Sequence, residues 1–123
     1  MPSRTQLPSD LRCAVTLGVD FDGPSHEVGR GIAPLGTHSW GRYSGRRGIP
    51  RIMEMLQRQG VPCTFFVPGY DAECHPELVK EMDRAGFEVA AHGYLHEAWD
   101  VPKEEETALL RDRKSTRLNS SHV

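Results

Sequence analysis

The chain lacks a disulfide framework: its three cysteines, Cys13, Cys63 and Cys74, cannot all pair, and none stands in a CxxC arrangement, which also speaks against a zinc ribbon. It lacks any apolar run near the ~18 residues that span a membrane. Its first twelve residues, MPSRTQLPSDLR, hold no apolar stretch of the kind that forms a secretory signal. It also lacks a strong charge of one sign, since 15 Lys and Arg face 17 Asp and Glu, a net −2. That balance argues against a dedicated nucleic-acid binder and gives no attraction to an anionic membrane. What is present is 123 residues, 37% apolar and 26% charged, enough for one packed domain. The expectation is a soluble, cytoplasmic globular protein with neither a nucleic-acid nor a membrane partner.

Between the ends the chain alternates strand-like and helix-like segments. Residues 13–19 (CAVTLGV) read as a buried strand, followed by DFDGP, where Gly23 and Pro24 break regularity. Residues 25–47 are glycine-rich and aperiodic, and are expected to form a long loop, of the kind that is often functional. Residues 49–59 place Ile49, Ile52, Met53 and Leu56 on one face, with Pro50 in the first turn and Gly60 at the stop, which predicts a helix. Residues 63–67 (CTFFV) predict a second strand and residues 76–85 a second helix, its inward face Leu78, Val79, Met82 and Ala85 and its end Gly86. Residues 87–91 (FEVAA) predict a third strand and residues 102–111 a third helix, with Asp100 as a plausible N-cap. The run Glu104, Glu105 and Glu106 falls in that helix's first turns, where negative charge is favoured, and is read as helix chemistry and not as a metal site.

Helices of about ten residues can make right-handed crossovers between parallel strands. The implied fold class is α/β, a (β/α) barrel or an open parallel sheet, its strands covered on both faces. Such strands end on one rim, where α/β folds build their sites. Asp20 and Asp22 follow the first strand there, and His92 and His96 follow the third. Two histidines four apart share a face on a helical turn and can bind one ion, and one carboxylate completes a His2Asp centre with a position open for water. A second carboxylate outside that set could take the water's proton. HxxxH and DxD are each common by chance; their meeting on one rim is the stronger signal.

Other residues invite bland readings beside functional ones. His75 precedes a helix and reads as solvent-facing; His26 and His38 lie in the expected loop and are candidates by type only. Arg42, Tyr43, Arg46 and Arg47 read as a solvated loop or as a cationic lip over the rim. Trp40 and Trp99 read as packing or as stacking surfaces for a ring. Cys13 and Cys63 read as apolar fillers of buried strands.

The strings GVDFDG, RYSGRRGIPRIMEML, TFFVPGY and AGFEVAAHGYLHE, in this order, resemble the polysaccharide deacetylase (NodB-homology) family. The likeness is to its cytoplasmic branch of peptidoglycan-deacetylase-like, allantoinase-like and cyclic-imide-hydrolysing proteins, and it covers residues 13 to about 111. It implies the N-terminal part of a distorted (β/α) barrel, about three parallel strands and three helices. It implies hydrolysis of a carbon–nitrogen bond that is not a peptide bond, on an N-acetylated sugar polymer or a small cyclic amide or imide. By the same resemblance Asp22, His92 and His96 hold a divalent metal, zinc first, and Asp20 is the catalytic base. The familiar motif has adjacent aspartates, which Phe21 separates here. The family's later motifs, with the histidine that protonates the leaving amine, have no counterpart, so the expectation is the front of a longer enzyme, inactive by itself, whose full-length parent forms a homo-oligomer. Residues 1–12 are expected to be a loose lead-in and 13–111 the partial domain. Residues 112–123 contain DRKSTRLNSSH, which resembles a sequencing-adapter sequence translated in one frame; the alternative is an ordinary disordered tail. Two other function classes stay open: a non-catalytic binding homologue that keeps the rim, and, ranked last, a 2-His-1-carboxylate iron oxygenase.

Overall fold

A computed structural model describes residues 6–97 and 100–111. The sheet is three-stranded and parallel, in the order β1 (Gly18–Asp20), β2 (Thr64–Val67), β3 (Glu88–Ala91). Gly18 pairs with Thr64 and Thr64 with Glu88; Phe66 lies opposite both Asp20 and Ala90. The strands therefore end side by side, as the alternation of elements predicts.

The period of two then sorts every strand residue. Val19, Phe65, Val67 and Val89 point to one face, against the helices. Phe21 continues that row past the end of β1 and is fully buried. Residues 18, 20, 64, 66, 88 and 90 point to the other face, where Thr64 Oγ1 donates to Glu88 Oε2 at 2.6 Å. That face is not covered among the described residues: Gly18, Asp20 and Glu88 are exposed and Thr64 and Phe66 half-buried. The expectation of strands covered on both faces is corrected here. Among the described residues helices pack on one face only, and polar residues stand in register on the other.

β1 is also shorter than expected. Residues 13–17 lie outside it, Cys13 is exposed and Val15 is 89% exposed: β2 begins at Thr64, which pairs with Gly18 and whose N–H donates to the Leu17 carbonyl. Cys63, by contrast, is buried as read.

The expected long loop at residues 25–47 is mostly helical. It contains α1 (Ser25–Gly29), a 3-10 turn (Gly36–Ser39), α2 (Trp40–Tyr43) and the start of a π turn (Ser44–Gly48) that runs directly into α3 (Ile49–Gln59). These pieces are too short to show an apolar stripe, so periodicity could not reveal them. In the π turn the Ile49 N–H donates to the Ser44 carbonyl, five residues back. Pro50 has no N–H to give the Arg46 carbonyl, and the wider turn accommodates that loss.

α3 has the expected bounds, buries Ile49, Met53 and Leu56, and stops at Gly60 in the left-handed conformation (φ 63°). α4 (Gly69–Cys74), which sequence reasoning missed, follows β2 directly and leads into α5 (Pro76–Arg84). α5 buries Val79 and Met82, and the chain turns at Gly86 into β3. Residues 103–111 are helical, close to the expected third helix. The core joins α3, α4 and α5 to the inner row of the sheet, with Phe65 and Phe87 edge to face at 5.2 Å. No helix among the described residues is long and apolar enough to cross a membrane.

Candidate metal centre

The side chains at the strand ends follow from the same alternation. Asp20 and Asp22 flank buried Phe21 and so share the open face; His92 follows Ala90 on that face one residue beyond β3. Two strand spacings of about 10 Å separate β1 from β3, and side-chain reach closes the gap. His92 Nε2 lies 3.3 Å from Asp22 Oδ1 and 3.9 Å from Asp20 Oδ2, and His96 Nε2 lies 3.7 Å from the same Asp22 oxygen. One ligand atom from each of Asp22, His92 and His96 lies within 4.8 Å of the others. Phe66 stands between the outer strands, its ring 6.4 Å from that of His92.

His96 does not reach the site on a helical turn, as the spacing suggested. Residues 92–97 form a tight loop with Gly93 at φ 80° and His96 at φ 56°, a left-handed conformation costly for a side chain with a Cβ. Glu97 holds the loop in this shape. Its carboxylate accepts the Tyr94 N–H at 3.0 Å on Oε2 and the Leu95 N–H at 2.9 Å on Oε1. The loop is also tied to α4, where Gly69 N–H donates to the Gly93 carbonyl and Tyr70 N–H to the Tyr94 carbonyl. A Cβ at Gly69 would strike the Tyr94 ring, so only glycine lets the two segments approach so closely. The Tyr94 hydroxyl donates to Glu73 Oε2 at 2.7 Å, and this bond is the first cause of a phenol pKa pushed up to about 12. Tyr94 therefore stays a donor through the neutral range.

Asp71 of α4, absent from the sequence reading, supports the other ligand. It is fully buried and accepts the Gly23 N–H at 3.1 Å, one residue past Asp22. Burial pushes its carboxyl up, Ser25 and the Gly23 N–H pull it down, and the charge of Asp22 adds to the rise. Nothing in the string PGYDAEC marks this residue, because its partner lies 48 positions away.

The remaining candidates divide. His26 of α1 is exposed and its ring meets that of His96 at 5.4 Å, so it borders the centre. His38 and Trp40 are exposed. The solvent-facing reading of His75 is corrected: its ring lies 5.8 Å from that of Phe21, against Gly45, where a Cβ would strike it. Trp99, His122 and residues 112–123 lie outside the described residues.

The donor set fits a bound ion. Ligand atoms about 2.0–2.1 Å from a tetrahedral zinc stand about 3.3–3.5 Å apart, and the Asp22 oxygen is 3.3 and 3.7 Å from the two histidine nitrogens. His92 Nε2 is moreover buried without a hydrogen-bond partner, a costly state for an imidazole unless something else binds it.

The family profile described as polysaccharide deacetylase matches residues 28–120, which include His92 and His96 and begin after Asp20 and Asp22. A peptidoglycan deacetylase of Helicobacter pylori is 37% identical over 101 residues, which is 79% of this chain and 34% of that protein. The chain thus spans about a third of the length of this curated relative. The crystal structure of a putative polysaccharide deacetylase from Mycobacterium smegmatis superposes with a TM-score of 0.86 at 34% identity, over 96% of this chain and 43% of that one. The Puue allantoinase superposes with a TM-score of 0.73 at 19% identity, over 86% of this chain and 42% of that one, a likeness of fold.

Proposed function

The chain belongs to the polysaccharide deacetylase family, and from that membership and the geometry at the rim we propose that it carries the metal centre of a hydrolase acting on carbon–nitrogen bonds other than peptide bonds. The observation that carries this reading is the meeting of Asp22, His92 and His96, some seventy positions apart in sequence, within 4.8 Å.

Two imidazoles and one carboxylate are a donor set that zinc takes in hydrolytic centres with a position left open, so zinc is the metal proposed. When bound, the ion supplies Lewis acidity toward an amide carbonyl and lowers the pKa of water. Asp22, His92 and His96 would hold it. Asp20 stands outside the trio, 3.9 Å from His92 Nε2 and open to solvent, and takes the proton of the attacking water as general base. Asp71, through Gly23, and Glu97, through the 92–97 loop, keep the ligands on one point. The substrate is an N-acetylated sugar, which the name of the Helicobacter pylori relative supports; a small cyclic amide or imide is the other arm of the test.

Metal analysis and hydrolysis assays, both run on the full-length parent protein, test this together. About one zinc per chain is expected, lost in Asp22→Asn and His92→Ala and kept in Asp20→Asn. Asp20→Asn should abolish hydrolysis of N-acetylglucosamine oligomers while the metal stays. Less than about a tenth of an ion per chain, with hydrolysis undiminished in chelator, rejects the metal role. Stoichiometric zinc without turnover of acetylated sugars or cyclic imides favours a binding homologue instead.

A further inference from the structure

Pro24, two residues past the proposed metal aspartate, forms a wall of a cleft. It has a volume of about 350 Å3 and is lined also by Arg42, Arg46, Tyr70, Cys74 and His75, a size in the range of small-ligand sites. Arg42 and Arg46 stand four apart along one helical segment, so both reach the same cleft, and Arg46 Nε donates to the Arg42 carbonyl at 3.3 Å. Neither guanidinium has an ion-pair partner among the described residues. No carboxylate lines the cleft. Burial pushes the Cys74 thiol up, and the Tyr70 phenol is pushed up by the neighbouring Cys74 and by burial, against the pull of Arg42. Thiol and phenol are therefore neutral at neutral pH, and Tyr70 is a donor.

Beside the candidate metal centre, this cleft presents two cations with no paired carboxylate among the described residues. We propose that the Arg42–Arg46 cleft binds an oxyanion, a carboxylate or phosphate carried on the amide substrate, with Tyr70 donating a further hydrogen bond. Guanidinium groups suit such oxyanions because they give directed, charge-assisted bonds. That the anion belongs to an amide substrate rests on the hydrolase reading above; the anion site itself does not.

The test uses the full 123-residue chain and three probes: N-acetylglucosamine, its 6-phosphate and N-acetylmuramic acid. Binding is measured by calorimetry, with zinc affinity measured on the same samples. One or both acidic sugars should bind about tenfold tighter than the neutral one, and which of them does so tells phosphate from carboxylate. Arg42→Gln with Arg46→Gln should make the three probes equal and leave zinc affinity unchanged. Arg47→Gln, an exposed neighbour that does not line the cleft, should keep the preference. Equal binding of all probes, a preference that survives the double substitution, or one lost as fully in Arg47→Gln overturns the proposal. An acidic preference without zinc binding supports the anion cleft and rejects the hydrolase reading; zinc binding without a preference does the reverse.

Discussion

Glu97 bears on the candidate metal centre through the backbone. By accepting two N–H groups it fixes the loop that holds His96 at positive φ. Groups that orient ligands in this way are worth about 10–100-fold in metal affinity, so Glu97→Ala should bind zinc weaker by about that factor. A zinc titration showing parental affinity would mean that the loop closes without it. Asp71 makes a claim that pH can read. Its carboxyl is raised above the ordinary 3.8, mainly by burial. A raised acid contributes stability that is fully present below the unfolded value and lost as pH rises through the folded one. Asparagine can still accept the Gly23 N–H and does not ionise. The stability of Asp71→Asn relative to the parent, from urea unfolding, should therefore rise as pH goes from about 4 to about 7. A gap constant with pH would mean that the group titrates as in the unfolded chain. Neither residue was legible in the sequence as a support, since each acts through backbone contacts that only the folded loop creates. Asp20, Asp22, His92 and His96 were legible, because strand alternation puts aspartates on either side of a buried Phe21 on one face.

Elements differ in how openly they declare themselves. α3 and α5 carry an apolar stripe and a glycine stop, and the sequence marks them closely. The helical stretch before α3 carries no stripe. It is held by close approach, above all at Gly45, where the His75 ring fills the space a Cβ would need. His75 in turn packs on Phe21, between the two aspartates of the rim. Gly45→Ala should therefore cost about 1–3 kcal/mol, as overpacking of a filled site does, in urea unfolding of the chain. An unchanged midpoint would mean that the ring moves aside freely. The 92–97 loop misled for a different reason: HxxxH spacing suits a helix, but Gly93 and the Glu97 clamp bring the two imidazoles together without one.

At the scale of the whole molecule the sheet is unevenly covered. Among the described residues β1 and β3 each pair on one side only, and the face that bears Phe66 and the candidate metal ligands is not covered. Val15 and Leu17, just before β1, are exposed. Open strand edges and exposed apolar side chains favour association with further chain. In sedimentation the chain should show concentration-dependent species heavier than its 13.8 kDa; a single species of that mass at all concentrations would show that the open face is stable in water.

The sequence by itself determined the alternation of strands and helices, the parallel order, the rim and the four residues on it. Each of these follows from local period: two along a strand, 3.6 along a helix, with glycine and proline as stops. Only the tertiary structure decided that β1 starts at Gly18, that residues 25–47 are largely helical, that Asp71 and Glu97 brace the ligands and that Arg42 and Arg46 face a cleft. Those features depend on contacts between segments far apart in the chain, and no local period records which distant backbone or ring will arrive.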